Sequence, residues 1–312
     1  MKGFDGDRLG LRTISMRLII ALTIASIIIP FTPFSYLNYV FMYFFAFSLL
    51  AASWDLLYSY SGQLSLGQAL PFGVGAFSVA ILSSNFHLNP IISLVIAPFV
   101  AAAIGGAIGG STIRLRPAYQ GIALLLFSQV LYWLALFQFG DEGISFGFVN
   151  GVEILSETQT YAIGILAFLF GVLTIFYIEH SNLRLKLLAI KQDNLAALAG
   201  GINVRQYKVI LMFVSSFVAG LGGGFLALYT FHTDFTIFQV SNSFLPISMA
   251  VVGGMGSIWG ALIGSLLISL LTTILPTFTT LAITYLIYGL MVILVLRFFP
   301  EGLRGIIRRL RK

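Results

Sequence analysis

The chain has 312 residues, of which 58% are hydrophobic, 14% aromatic and 9% charged, with a net charge of +6 and no cysteine. A soluble domain carries about 25% charged residues, so this composition excludes a water-soluble enzyme, a nucleic-acid-binding domain, a disordered tail and a disulfide-stapled module. A mean hydropathy of +0.98 leaves an all-α, polytopic helical membrane protein. Its positive charges then act as topology determinants rather than as a nucleic-acid surface.

In chain order, Lys2, Arg8, Arg12 and Arg17 precede an apolar run with no evident cleavage site, read as an uncleaved span at 18–35. Spans at 38–58, 63–84 and 91–112 follow, punctuated by Pro30 and Pro33, by Ser61-Gly62 and by Asn89-Pro90. After Arg114 and Arg116 come spans at about 118–139 and 160–179. The loop between them, 140–159, carries Asp141, Glu142, Glu153 and Glu157 and no Lys or Arg. A polar insertion, 181–208, holds Arg184, Lys186, Lys191, Arg205 and Lys208. Spans at about 209–230, 243–254, 256–276 and 279–297 lead to Arg297, Arg304, Arg308, Arg309, Arg311 and Lys312. The positive-inside rule makes all four basic clusters and both termini cytoplasmic and the acidic loop external. The reading is a single transmembrane domain over 1–312 with about ten helices.

Glycine marks the helix faces. Gly105 and Gly109, Gly106 and Gly110, Gly220 and Gly224, and Gly256, Gly260 and Gly264 recur at four-residue spacing, which lets backbones approach closely in lipid, with or without a further role. Two glycine-rich breaks open apolar segments, Gly62 to Gly67 and Gly253 to Ser257. Paired broken helices in two halves point to a transporter built from inverted repeats. Gln63, Ser65 and Gln68 put uncharged donors and acceptors beside the first break, and Gly253, Gly254 and Ser257 form the second. The first break is either part of a translocation path or gate, or a capped hairpin turn.

Residues 184–199 read as one cytoplasmic helix closed by Gly200-Gly201. Leu187, Leu188, Leu195 and Leu198 share an arc that Lys191 interrupts. Such a helix either docks on a soluble partner or lies on anionic headgroups. Asp55, an acid in an apolar span, is either a substrate or proton site or an interfacial residue. The sequence has no phosphate-binding loop for nucleotide hydrolysis and no metalloprotease motif. No catalytic residue, metal ligand or cofactor site is expected, and energy would come from a partner.

Four ordered motifs carry a resemblance. The run Tyr60-Ser-Gly-Gln-Leu-Ser-Leu-Gly-Gln-Ala-Leu-Pro-Phe-Gly-Val-Gly-Ala-Phe77, the stretch Thr112-Ile-Arg-Leu-Arg116 with Tyr119, the segment Leu187 to Val204 with Tyr207-Lys208, and Val252-Gly-Gly-Met-Gly-Ser257 with Gly260 and Gly264 together resemble branched-chain amino acid ABC transporter permeases of the LivM type. The resemblance spans about residues 40–300. It implies a multi-pass cell-membrane permease subunit paired with a second, LivH-like permease. Two cytosolic ABC ATPases would drive it, and an external binding protein would feed it. It also implies that 187–204 is the coupling loop, with Ala189, Lys191, Asp193, Asn194, Ala197 and Gly200 in contact with the ATPase.

Four positions depart from the family pattern. Asp55 stands where Asn is common and Gln129 where Glu is common. Phe139-Gly-Asp-Glu-Gly143 replaces Thr-Gly-Gly, and Asn194 replaces a frequent acid. The substrate class implied is Leu, Ile or Val, while relatives carry urea, amides or other amino acids. The residues alone also admit an ion-driven carrier or channel for a small neutral or zwitterionic solute. A membrane-embedded enzyme would need a cluster of His, Asp or Glu at one face, and the sequence offers only isolated ones.

Overall fold

A backbone in lipid must satisfy its own hydrogen bonds, and the apolar runs accordingly fold as helices with polar caps at their ends. The structure, a computed structural model, describes residues 35–275 apart from 150, 151 and 154, with scattered positions between 278 and 297. The expected span at 18–35 therefore lies, but for Ser35, outside the described residues, as does most of the one at 279–297.

The helices are α1 (Ser35–Ser61), α2 (Ala69–Ser84), α3 (Pro90–Thr112), α4 (Pro117–Phe139), α5 (Glu157–His180), α6 (Asn182–Gln192), α7 (Asn194–Ala199), α8 (Val204–Thr230), α9 (Val240–Gly253) and α10 (Ile258–Ile274). Their starts follow from local chemistry. The Asn89 side chain accepts from Ile91 N–H ahead of Pro90, and Ser156 and Gln159 form a capping box on α5. Asn203 caps α8 through Gln206 N–H. Five helices, α1, α3, α4, α5 and α8, are long and apolar enough to cross a membrane, and the chain is a multi-pass, all-α membrane protein.

The core is built on α1 and α8, with α2 and α3 packed along α8 and α5 against α1. Trp54, Phe44, Phe45, Phe72, Phe168 and Phe225 are fully enclosed. Glycine sets the interhelical distances. On α3, Gly105 lies on Ser216 and Gly106 on the Phe213 ring of α8, while Gly75 of α2 lies on the Gly220 carbonyl. The four-residue glycine spacing is thus a packing seam. On the outside, α4 exposes Trp133 and Phe137.

The two ends of the bundle differ. At one end the segment after α4 returns as a two-residue strand, β1 (Ile144–Ser145), paired antiparallel with β4 (His232–Thr233) beyond α8. A second small hairpin joins β2 (Phe148–Val149) to β3 (Val152–Glu153). Asp141, Glu142 and Glu157 belong to this end. The opposite end gathers Arg114, Arg116, Arg184, Lys186, Lys191, Arg205 and Lys208, with α6 and α7.

Three elements differ from the sequence reading. The span expected at 63–84 is the 16-residue α2 preceded by non-helical residues, because Gly62 at φ +66° ends α1 and no helix restarts before Gln68. The spans expected at 243–254 and 256–276 form a hairpin: α9 and α10 meet at 111°, with Gly260 against Gly254 and Gly264 against Met249. That register is antiparallel. Gly256 stands apart from this glycine face, with open space where a Cβ would be and a φ of +87° that makes the turn. The helix expected at 184–199 is two helices, because Asp193 is extended and its carboxylate accepts from Leu195 and Ala196 N–H to start α7. Its end was legible: Gly201 has φ +78°, and Ile202 N–H donates to the Ala197 carbonyl, a Schellman closure.

Candidate functional site

The first break is enclosed. Gln63, Ser65 and Gln68 are each 2% exposed. Gln68 Nε2 donates to Ser53 Oγ at 2.7 Å and to Ser215 Oγ at 2.9 Å, and Ser215 Oγ donates to the Ser53 carbonyl at 2.9 Å. One polar knot therefore joins α1, the α2 start and α8. Trp54 Nε1 donates to the Ser65 carbonyl at 2.7 Å, and Ser61 Oγ donates to Gln63 Oε1 at 3.0 Å. The start of α4 covers the segment, since a Cβ on Gly67 would strike the Leu124 carbonyl and one on Gly121 would press on the Leu64 carbonyl. Gln63 Nε2 and Gln120 Nε2 are buried without a partner among the described residues. A buried orphan donor costs about 1–3 kcal/mol.

The second break is the hairpin tip. Gly253 and Gly254 are buried, Ser257 is half-buried, and Met255 is 40% exposed. The Gly256 N–H donates to Asp55 Oδ1 at 2.9 Å, and Ser59 Oγ donates to Asp55 Oδ2 at 2.9 Å. From there α10 runs antiparallel to α1 until the Tyr36 hydroxyl meets the Thr273 carbonyl. Asp55 itself is 1% exposed. The sequence flagged it as a charge in an apolar span but gave no sign of its partner, 201 residues away.

A groove of about 380 Å3 lies between α4 and the start of α9, lined by Gln129, Tyr132, Trp133, Gln239, Val240 and Ser241. Ser128 Oγ and Gln129 Nε2 both donate to the Phe238 carbonyl, at 3.0 and 3.1 Å. They hold the short 3-10 turn Phe235–Phe238 against the middle of α4. The helix α9 thus begins level with the middle of α4, with Gln239 as an N-cap whose side chain makes no capping bond. Polar groups at such depth need protein or water, not lipid.

The third site is the α6–α7 arm. Lys191 Nζ donates to the Ser59 carbonyl at 3.0 Å and sits 5.3 Å over the Tyr58 ring. Lys186 Nζ donates to the Tyr207 hydroxyl at 2.6 Å. Leu187, Ile190 and Ala197 face inward, Ala189 is half-buried, and Asp193, Asn194 and Gly200 are exposed. The expected apolar arc is split by the Asp193 break: Leu187 is buried, whereas Leu195 is 77% and Leu198 55% exposed. The sequence reading put these leucines on one arc with Leu187 because it treated the segment as one wheel.

A family profile described as branched-chain amino acid transport system / permease component matches residues 36–296. The chain belongs to that family. This branched-chain permease is 25% identical over 286 residues to the high-affinity branched-chain amino acid transport system permease protein LivM of Escherichia coli, covering 82% of this chain and 67% of that one. It is 20% identical over 320 residues to a probable LivM permease of Methanocaldococcus jannaschii, covering 86% and 92%. A solved structure of PsaBC from Streptococcus pneumoniae in complex with Fab aligns with a TM-score of 0.49 and 18% identity, over 89% of this chain and 97% of that one. The LivM-type permease so identified carries three of its four ordered motifs on three structural features, the knot at 61–68, the tip at 254–257 and the arm at 182–199, while the fourth, Thr112 to Tyr119, joins α3 to α4.

Proposed function

We propose that this LivM-type permease is the membrane half of an ATP-driven importer of branched-chain amino acids. It works with a second, LivH-like permease, two cytosolic ATPases and an external binding protein. The observation that carries the reading is the arm. A short, well-capped helix outside the apolar spans exposes Leu195 and Leu198 beside Ala196 and Ala199, while Lys191 and the buried Leu187 and Ile190 fasten it to the bundle. Exposed leucines on a fixed polar mount suit insertion into a groove of a soluble partner. In this reading the basic end and both termini are cytoplasmic and the 140–159 loop is external, in accord with the charge distribution.

The substrate path runs between the seam at Gln63, Ser65 and Gln68, the tip at Gly253, Gly254 and Ser257, and the groove beside Gln129. A zwitterion needs no fixed countercharge there. The α9 start offers helix N–H groups to a carboxylate, and the unpartnered amides of Gln63 and Gln120 are donors available when α4 moves off the seam. Alternating access follows if ATP binding moves the arm and the arm moves the core helices to which it is tied.

The test is paired substitution of the arm. Leu195→Asp and Leu198→Asp leave the buried contacts of Leu187, Ile190 and Ala197 intact. ATP-dependent uptake should fall at least about tenfold, the loss of one hot-spot contact, while the amount of permease in the membrane stays constant. Undiminished uptake with both substitutions present would refute ATPase coupling through this arm.

A further inference from the structure

We propose that Asp55 is a positioning residue that holds the α9–α10 tip against α1 and links it, through Ser59, to the arm. The inference rests on the transport reading above and adds to it the element that transmits the arm's motion.

A carboxylate in an apolar span is costly to bury unless hydrogen bonds offset it. Asp55 meets that cost with donors from two separate elements. One is the Gly256 N–H at 2.9 Å, in the turn of the hairpin, and the other is the Ser59 hydroxyl at 2.9 Å, one helical turn further along α1. The carbonyl of the same Ser59 receives Lys191 Nζ at 3.0 Å from α6. Three hydrogen bonds in series therefore connect the arm to the tip, passing through two residues of α1. Each of the three has an ionised partner, the Lys191 ammonium or the Asp55 carboxylate, and charge-assisted bonds are roughly twice as strong as neutral ones.

The far end of the series is open at Gly256. Gly254 and Gly256 both have positive φ, at +112° and +87°, and nothing lies within 4 Å of where a Gly256 Cβ would be. Below the tip, by contrast, Gly253, Gly260 and Gly264 are in backbone contact that leaves no room for a Cβ. The hairpin is thus closely packed in its stem and open at Gly256, and the Asp55 bond to Gly256 ties that turn to α1. A turn held to the core by one bond is the kind of element through which a distant push is read out. Its neighbour Ser257 belongs to the expected substrate path.

The test uses the assembled transporter in membrane vesicles. Because the chain has no cysteine, Met255→Cys supplies a single thiol at the tip, and N-ethylmaleimide reports its accessibility. Asp55→Ala should raise the labelling rate about tenfold, the equivalent of one charge-assisted hydrogen bond. It should also lower uptake by a similar factor while ATP hydrolysis continues, which is uncoupling rather than loss of structure. Asp55→Asn retains an acceptor oxygen for Gly256 and should restore slow labelling and uptake together. Ser59→Ala, which leaves the backbone carbonyl for Lys191, should loosen the tip to a smaller degree and serves if Asp55→Ala does not insert.

Labelling unchanged in both Asp55→Ala and Ser59→Ala would overturn the proposal. So would an Asn variant as loose as the Ala variant, or a loosened tip with undiminished uptake. If Leu195→Asp and Leu198→Asp together leave uptake intact while Asp55→Ala both loosens the tip and lowers uptake, ATPase coupling through the arm falls and the Asp55 tie stands.

Discussion

Gly223→Ala probes the close approach of α2 and α8 on which the whole bundle is assembled. The added Cβ would lie 1.8 Å from the Phe72 carbonyl oxygen and 2.7 Å from its carbon. The first distance is about 1.2 Å short of the 3.0 Å below which Cβ contacts are essentially never seen. The obstacle is backbone on both sides, so no rotamer change relieves it and one helix must shift. Overpacking of this kind costs about 1–3 kcal/mol, and the backbone clash puts it at the upper end. Alanine in place of a mid-helix glycine returns about 1 kcal/mol of helix propensity, leaving a net loss of about 2 kcal/mol. Gly110→Ala is the control, since its Cβ would meet Val209 at an ordinary 3.7 Å and keep the propensity gain. Thermal unfolding of the detergent-solubilised protein, followed by size-exclusion fluorescence, should give a lower midpoint for Gly223→Ala and an equal or higher one for Gly110→Ala. A Gly223→Ala midpoint at or above that of the parent would refute the packing argument.

Asp193→Ala removes the side chain that starts α7 and should cost about 0.5–2 kcal/mol locally. Faster amide exchange at Leu195 and Ala196, with the transmembrane helices unchanged, is the expected signature. Single cysteines at Asp141 and Asn194 should react from opposite sides of the membrane with an impermeant maleimide, Asp141 from outside; reaction of both from one side would break the topology. Gln68→Leu deprives the buried Ser53 and Ser215 hydroxyls of their common donor and should lower the unfolding midpoint by the equivalent of about 1–3 kcal/mol.

Much of this protein follows from composition and order along the chain. An apolar chain with basic residues in four clusters has to be a helical membrane protein with a defined charge asymmetry, because lipid forbids unpaired backbone and positive loops resist translocation. The motifs at 60–77 and 187–204 were legible because glycine, proline and asparagine punctuate the chain through local φ/ψ and capping preferences. Tertiary structure alone decided which polar residues meet. Gln68 with Ser215, Asp55 with Gly256 and Lys191 with Ser59 are pairs separated by more than a hundred residues, and nothing in a local pattern encodes such a distance. It also decided that Val240–Gly253 and Ile258–Ile274 form a hairpin rather than two independent spans. Hydropathy reports how apolar a segment is, whereas its direction is set by which glycine faces have no side chain to keep two backbones apart.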